Sequence, residues 1–308
     1  MSAEIDLLLD RRRLKQRLIF WRAAAIVLLL AAVLLAIGRS GLGFGAAGGV
    51  HVAVLRVDGI ITDDMARDAA VAKLASDPAV KALIIAIDSP GGSVAGGEAL
   101  HDAIARVAAV KPVVAVMGPV AASAAYMIAV PATRIFASQA TLTGSIGVLL
   151  QAGEISGLLQ KLGITPETIV SGPLKDQPSL TAPITSAGRA VLQGIVDDLY
   201  EQFVAMVAAG RHMSIAAVKA VADGRPYTGK QALKLGLIDA IGGMREARAW
   251  LAGARGVSAR LPAVPAVRPE FTWPSLGRGF GGLLKVVLSQ RVNLDGPQAL
   301  WQPSEELR

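Results

Sequence analysis

The sequence predicts an α/β fold, a sheet covered on both faces by helices, preceded by one transmembrane helix. Three observations predict it. Apolar runs of strand length alternate with helical segments through the body of the chain. Those runs are continuous rather than alternating, as strands buried on both faces are. Near the N-terminus, clustered arginines precede an uninterrupted apolar stretch from Ala23 to Ile37.

Counted from Leu18 to Ile37, with Arg22 as its only charge, the anchor has 20 residues. At about 1.5 Å per residue that is roughly 30 Å, enough to cross the hydrocarbon core. Arg11, Arg12, Arg13, Lys15 and Arg17 lie before it, so the basic segment 1–17 stays in the cytoplasm and the rest is exported across the cytoplasmic membrane. A cleaved signal peptide shares this pattern, but no clear A-x-A site follows the apolar run. Residues 38–49, rich in Gly and Ala, read as a linker.

The body spans 50–253. Strands are expected at Val50–Val57, Val80–Ile87, Val113–Met117 and Arg134–Ala137, alternating with helices at Met65–Ala75, Gly97–Val110 and Ser123–Ala129. Beyond Ile146–Leu149 the pattern gives a helix at Glu154–Leu162, a strand near Ile169 and a long helix at Ser186–Ala209. Shorter helices follow at Ser214–Val221, Gly229–Leu235 and Met244–Leu251. Residues 254–308, with many Pro and Gly, read as a tail.

Composition removes several classes of function. The 308 residues are 53% hydrophobic and 18% charged, which excludes a disordered polypeptide. There is no cysteine and there are three histidines, His51, His101 and His212. No thiolate metal site or Cys nucleophile is possible, and no metal or cofactor is expected. The net charge of +7 divides as +3 over residues 1–22, +1 over the body and +3 after residue 254. A near-neutral body lacks the basic stripe of a nucleic-acid groove, and basic ends suit anionic lipid.

Four motifs are weak. Gly224-Arg-Pro-Tyr-Thr-Gly229-Lys230 lacks the Ser or Thr of a P-loop, since Gln231 stands there, and reads as a turn into a helix. Thr143-Gly-Ser-Ile-Gly147 has Thr where a nucleophile elbow needs Gly. Asp63-Asp64 and Asp197-Asp198 are sequence neighbours, which cap or face solvent rather than face each other. His101 beside Asp102 has no partner serine by spacing.

Three loops carry chemistry. Asp88-Ser-Pro-Gly-Gly-Ser93 follows a buried strand, where ligand sites of α/β sheets gather, and its glycines allow close backbone approach. Ser123, in Val120-Ala-Ala-Ser-Ala-Ala-Tyr126, stands at a helix start among residues too small to cover its hydroxyl. It can be a nucleophile or an ordinary N-cap. Lys175, in Ser171-Gly-Pro-Leu-Lys-Asp176, can be a solvated surface lysine. If buried against apolar walls its amine loses its charge and can deprotonate a serine.

Asp88-Ser-Pro-Gly-Gly92, Ala122-Ser-Ala-Ala-Tyr126, Thr141-Leu-Thr-Gly-Ser-Ile-Gly-Val148, Lys175-Asp176, Asp223-Gly-Arg-Pro-Tyr-Thr-Gly229 and Gly236-Leu-Ile-Asp239 occur in the order of the signal peptide peptidase A family. The chain resembles its short, single-repeat, membrane-anchored Ser/Lys proteases over about residues 50–250. That resemblance implies the Clp protease/crotonase fold of repeated β-β-α units. It implies Ser123 as nucleophile, Lys175 as general base, Ser145 orienting that lysine, and the N–H groups of Gly92 and Ala124 as oxyanion hole. It also implies a ring-shaped homo-octamer in which Ser and Lys of one site come from adjacent subunits. One departure stands out: Ala124 and Ala125 replace the family's two glycines, and alanine keeps the oxyanion donor only where φ is negative.

The expected function is therefore a membrane-anchored serine endopeptidase that hydrolyses remnant signal peptides and other short apolar peptides through an acyl-enzyme. Its partners are those peptides, the lipid bilayer and further copies of itself, with no nucleic acid and no cofactor. Two alternatives use the same fold: an acyl-CoA hydratase or lyase, and a catalytically inactive membrane scaffold.

Overall fold

The computed structural model describes residues 21–22, 24–31, 49–267 and 298–300. Contacts divide the chain into two units, Met1–Gly49 and Val50–Arg308. In the first, residues 21–22 and 24–31 are helical, and the remainder of the expected anchor at 18–37 lies outside the described residues. Among the described residues no helix is long and apolar enough to cross a membrane.

The second unit is built on three long strands. β1 (His51–Ile61), β2 (Val80–Ser93) and β3 (Val113–Ala122) pair in parallel. α1 (Met65–Lys73) connects the first two and α2 (Val94–Ala108) the second and third. Each long strand runs in two segments. The β1–β2 register shifts between Asp58 and Ile60, and the β2–β3 register between Ile87 and Ser89. β3 pairs first with β4 (Arg134–Ala137) and then, from Val120, with β5 (Leu142–Gly144). β6 (Pro226–Thr228) adds antiparallel to β5, and β7 (Ala240–Ile241) parallel to β4. The sheet is mixed, as an α/β protein with added edge strands often is.

The core sits on both faces of β2, and the alternation of its side chains shows why the run is apolar throughout. Leu83, Ile85 and Ile87 join Leu100, Ile104 and Val107 of α2 and Phe203, Val204 and Val207 on one face. Ala82 and Ile84 join Val114, Phe136, Ala247 and Leu251 on the other. Period-2 strands with apolar residues at every position need two covers. Here they are α2, α3 (Ala124–Ala129) and α5 (Ser186–Arg211) on one side and α8 (Met244–Arg255) on the other.

The helices expected from periodicity are present, with ends moved by a few residues. α4 (Ser156–Lys161) and α5 lie in the second half, followed by α6 (Ile215–Lys219) and α7 (Gly229–Lys234). Thr228 and Gln231 form a capping box on α7, so the P-loop-like stretch is a helix start. The strand expected near Ile169 is absent: residues 164–170 have no regular structure, and Ile169 is 92% exposed. Its apolar residues face outward, so no sheet edge recruits them. The segment after residue 254 also departs from a simple tail. β8 (Ala263–Pro265) pairs in parallel with β1, and β9 (Gln298–Leu300) pairs antiparallel with β2.

A polar network ties α3 to the second half. The Tyr126 hydroxyl, fully buried, donates to Leu237 O at 2.8 Å. Two residues on, Asp239 accepts from Arg211 Nη2 at 2.6 Å and Nη1 at 3.1 Å, and from the Ile135 N–H at 2.7 Å. Arg211 Nε reaches Gly236 O as well. The last turn of α5, the Gly236–Asp239 turn, β4 and α3 are thereby one block.

Burial pushes the Tyr126 phenol above its ordinary value. A raised folded value holds its stabilisation below the unfolded pKa of about 10 and loses it as pH climbs past that. Tyr126→Phe leaves Leu237 O unsatisfied in the core, and urea unfolding near neutral pH should show a loss of about 1–3 kcal/mol. Above about pH 10 the gap between variant and wild type should narrow, because only the wild type has this phenol to ionise.

Candidate active site

β3 ends at Ala122, and the chain turns at Ser123 with φ 60° and ψ −123° before α3 begins at Ala124. This backbone conformation is open to glycine and costs an L-residue about 1–3 kcal/mol, so the surroundings must hold it. They do so from both sides. The Ser123 N–H donates to Gly144 O on β5 at 2.8 Å, and Ser123 O accepts from Tyr126 and Met127 N–H at 2.9 and 3.0 Å. All six residues of α3 are buried. A strained strand-to-helix turn that lifts a serine off a sheet is the geometry of a nucleophile elbow. It occurs here at Ser123, but the residue is only 1% exposed within the chain, so its small neighbours do cover it, contrary to the sequence expectation.

The capping role is excluded for Ser123, whose side chain makes no capping hydrogen bond. By contrast Ser93, Thr185, Ser214 and Thr228 each accept a helix N–H in the ordinary way. The positive φ belongs to Ser123, and Ala124 is helical. Alanine is therefore at no steric disadvantage in the position next to Ser123. As the first helical residue its N–H has no intrahelical acceptor, so it is available to a negative oxygen near Ser123.

Gly92 lies in the second segment of β2, paired with Ile61 of β1. A Cβ there would stand 1.9 Å from Ile61 O, so no other residue fits. Gly91 takes φ +112°, and its N–H is held by Ser89 Oγ at 3.1 Å. The pairing of Ser89 with Ala121 brings this Gly-Gly segment and the Ser123 turn to neighbouring strand ends.

Ser145 follows Gly144, the partner of Ala122 across the β3–β5 ladder, so Ser123 and Ser145 also share one end of the sheet. Ser145 has φ 48° and is 6% exposed. Its N–H donates to Arg225 O at 3.1 Å and its hydroxyl to Gly224 O at 2.9 Å. The donor is spent on Gly224, and the oxygen's lone pairs remain to accept. Lys175 is placed differently. It lies in the irregular stretch between α4 and α5, exposed, its N–H on Gly172 O at 3.1 Å. Within one chain, no hydrogen bond among the described residues joins its amine to Ser123 or Ser145.

Two contributions escaped the sequence reading. Thr141 Oγ1 donates to Gly118 O at 2.8 Å and Thr143 Oγ1 to Ala121 O at 2.7 Å, so side chains on and just before β5 satisfy carbonyls in the last part of β3. Two threonines two apart on a strand end were the available signal. The second is Gly97 on α2, where an added Cβ would lie 3.1 Å from Ala124 Cβ and 3.2 Å from Met127 Sδ. The Ala124 methyl is seated in the space that Gly97 leaves.

The remaining candidates take structural roles. Asp64 caps α1 by accepting from the Arg67 N–H. Asp197 and Asp198 accept from Gln193 and Gln202 on the exposed face of α5, and His101 pairs with the adjacent Asp102. No group of His, Asp and Glu among the described residues could hold a metal ion.

Gly97→Val should push on Ala124 and cost about 1–3 kcal/mol by overpacking. Adding Ala124→Gly in the same chain should recover part of that, with a coupling of at least about 0.5 kcal/mol in a urea-unfolding cycle. Strict additivity would mean the two residues do not share this space.

With this geometry in place, comparison with known proteins assigns the chain. The family model "Peptidase family S49" matches residues 105–258, and the "Clp protease" model matches residues 52–144. The α/β fold with its mixed sheet is thus Clp protease-like. Over 176 residues the chain is 41% identical to putative protease slr0021 of Synechocystis, covering 57% of this chain and 64% of that protein. It is 40% identical over 171 residues to a putative signal peptide peptidase SppA of Enterococcus faecium, covering 55% and 50%. With Protease 4 of Salmonella typhi it shares 35% over 192 residues, covering 62% and 30%. The chain therefore spans less than two thirds of the length of each of these relatives. Its S49 match takes in the Ser123 turn, Ser145, Lys175 and the Gly236–Asp239 block, and the chain belongs to peptidase family S49.

Proposed function

We propose that this chain is a membrane-anchored serine endopeptidase whose nucleophile is Ser123 and whose general base is Lys175. The observation that carries this reading is the Ser123 turn. Its hydroxyl caps nothing, its backbone is held in a costly conformation, and helix N–H groups and a glycine strand adjoin it. A residue needed only for packing would not require that conformation.

In the proposed reaction the Ser123 hydroxyl attacks a peptide carbonyl as its proton passes to the uncharged Lys175 amine. The tetrahedral oxyanion is held by the N–H groups of Gly92 and Ala124. The lysine returns the proton to the leaving amine, and water then hydrolyses the acyl-enzyme by the same route. Ser145, its proton committed to Gly224 O, orients the lysine by accepting from it.

The exposure of Lys175 supports a site completed by a second copy. In the same part of the sequence Leu158, Leu162, Ile164, Ile169, Val170, Leu174 and Leu180 are all exposed, the kind of apolar residue a subunit interface covers. Cover from a neighbouring copy would remove the amine from water and favour the uncharged form that a base needs. The assembly we propose is a closed ring, an octamer, with Ser and Lys supplied by adjacent subunits. Residues 18–37 anchor it in the cytoplasmic membrane with the body outside, next to its substrates: remnant signal peptides and other short apolar peptides.

The test is hydrolysis of a synthetic signal peptide by the full chain in detergent. Ser123→Ala should lower kcat by about 10⁴–10⁶. Lys175→Met should lower it by about 10²–10⁴, with the oligomer intact on size-exclusion chromatography. Ser145→Ala should give a smaller loss than Lys175→Met. Wild-type turnover in either Ser123→Ala or Lys175→Met removes that residue from the mechanism.

A further inference from the structure

Ser89 is a hydroxyl in the dry interior of β2. The strand is apolar from Ala82 to Ile87, and Ser89, two residues on, is wholly buried. It is the last residue of β2 to pair with β3, opposite Ala121 and two residues before Ser123. A buried hydroxyl has to find partners. Among the described residues both of its partners are main-chain groups of Gly91: Ser89 Oγ accepts from the Gly91 N–H at 3.1 Å and donates to Gly91 O at 3.4 Å.

Those two groups flank the torsions that aim the next amide. Gly91 O and the Gly92 N–H share one planar peptide and point opposite ways, so a hold on the first directs the second. Gly91 takes φ +112°, and a glycine has no side chain of its own to keep it there. We infer that Ser89 is a positioning residue for the oxyanion hole, its hydroxyl locking Gly91 so that the Gly92 N–H faces the carbonyl that Ser123 attacks. The inference rests on the reading of Ser123 and Gly92 as the catalytic centre. Ser89 touches no reacting atom and acts through Gly91 alone. At 3.4 Å its bond to Gly91 O is long, so it contributes direction more than strength. The pairing with Ala121 joins the same residue to the strand that ends in Ser123, so donor and attacking oxygen share one frame. A donor aligned in advance needs no reorganisation as charge develops. Its effect falls on the transition state and not on the bound substrate.

Hydrolysis of a synthetic signal peptide by the full chain in detergent tests this. Losing an oxyanion donor outright slows such a reaction roughly 10²–10³-fold. Ser89→Ala keeps the donor but loosens it, so kcat should fall about 10- to 100-fold with KM held within about twofold. A peptide aldehyde supplies the second reading. Ser123 Oγ adds to the aldehyde carbon, the proton passes to Lys175, and the carbonyl electron pair moves onto the oxygen, which then sits where the oxyanion would. Its affinity should drop by the same factor as kcat/KM, a match that a packing defect would not produce. Ser89→Cys keeps the volume with a weaker hydrogen-bonding group and should move both readings in the same direction, so the comparison survives if Ser89→Ala does not fold. A folded variant whose kcat stays within about threefold of wild type overturns the inference. So does a fall in kcat with unchanged aldehyde affinity. Ser123→Ala separates this from the reading beneath it: wild-type turnover there removes the site itself, whereas turnover lost there but kept in both Ser89 variants removes only the role of Ser89.

Discussion

The backbone conformation of Ser123 is the constraint on which the site depends. A parallel strand buried on both faces cannot pass directly into a helix by running on, because its neighbours continue beside it. The chain must break direction within one residue, and for a residue with a Cβ that break is unfavourable. The cost is met by fixed partners: Gly144 O on one side, the first turn of α3 on the other, and the Thr141 and Thr143 hydroxyls on the preceding carbonyls. Further out, Tyr126 and the Arg211–Asp239 pair fasten α3 to the end of α5 and to β4. Each layer restrains the next one in.

Much of this was legible in the sequence. The runs of Val, Ile, Leu and Ala in β2 and β3 read as strands covered on both faces, because they are short, rich in β-branched residues and bounded by turn residues. Periodicity placed the helices to within a few residues. The site loops were readable because Gly, Pro and small residues follow a strand end. What was not legible has a common cause. A run such as Ile169-Val170 states that its residues avoid water, but not whether the cover comes from the same chain or another, and within this chain it stays exposed. Short strands such as β8 and β9, three residues each, owe their structure to the edge that receives them. The sign of φ at Ser123 has no marker in a serine.

The two alanines after Ser123 illustrate how a substitution is absorbed. The helical φ of Ala124 leaves its N–H in place, and the added methyl is received by Gly97 across the α2–α3 contact. At Ala124 the departure from glycine thus adds a packing contact and leaves the backbone N–H in place. The same contact couples α2, capped by Ser93 directly after the Gly-Gly segment, to the helix that follows Ser123. A small residue on each side lets the two loops of the site approach through their helices.

From α4 through the irregular stretch before α5 the chain presents aliphatic side chains to water over some twenty residues, Leu158 to Leu180. Such a surface adheres to whatever apolar material it meets first. For a newly made copy, a sister molecule is the harmless encounter, whereas a stray unfolded chain is the hazardous one. If residues 18–37 anchor the chain as proposed, confinement beside a bilayer would bias that contest by crowding sisters together.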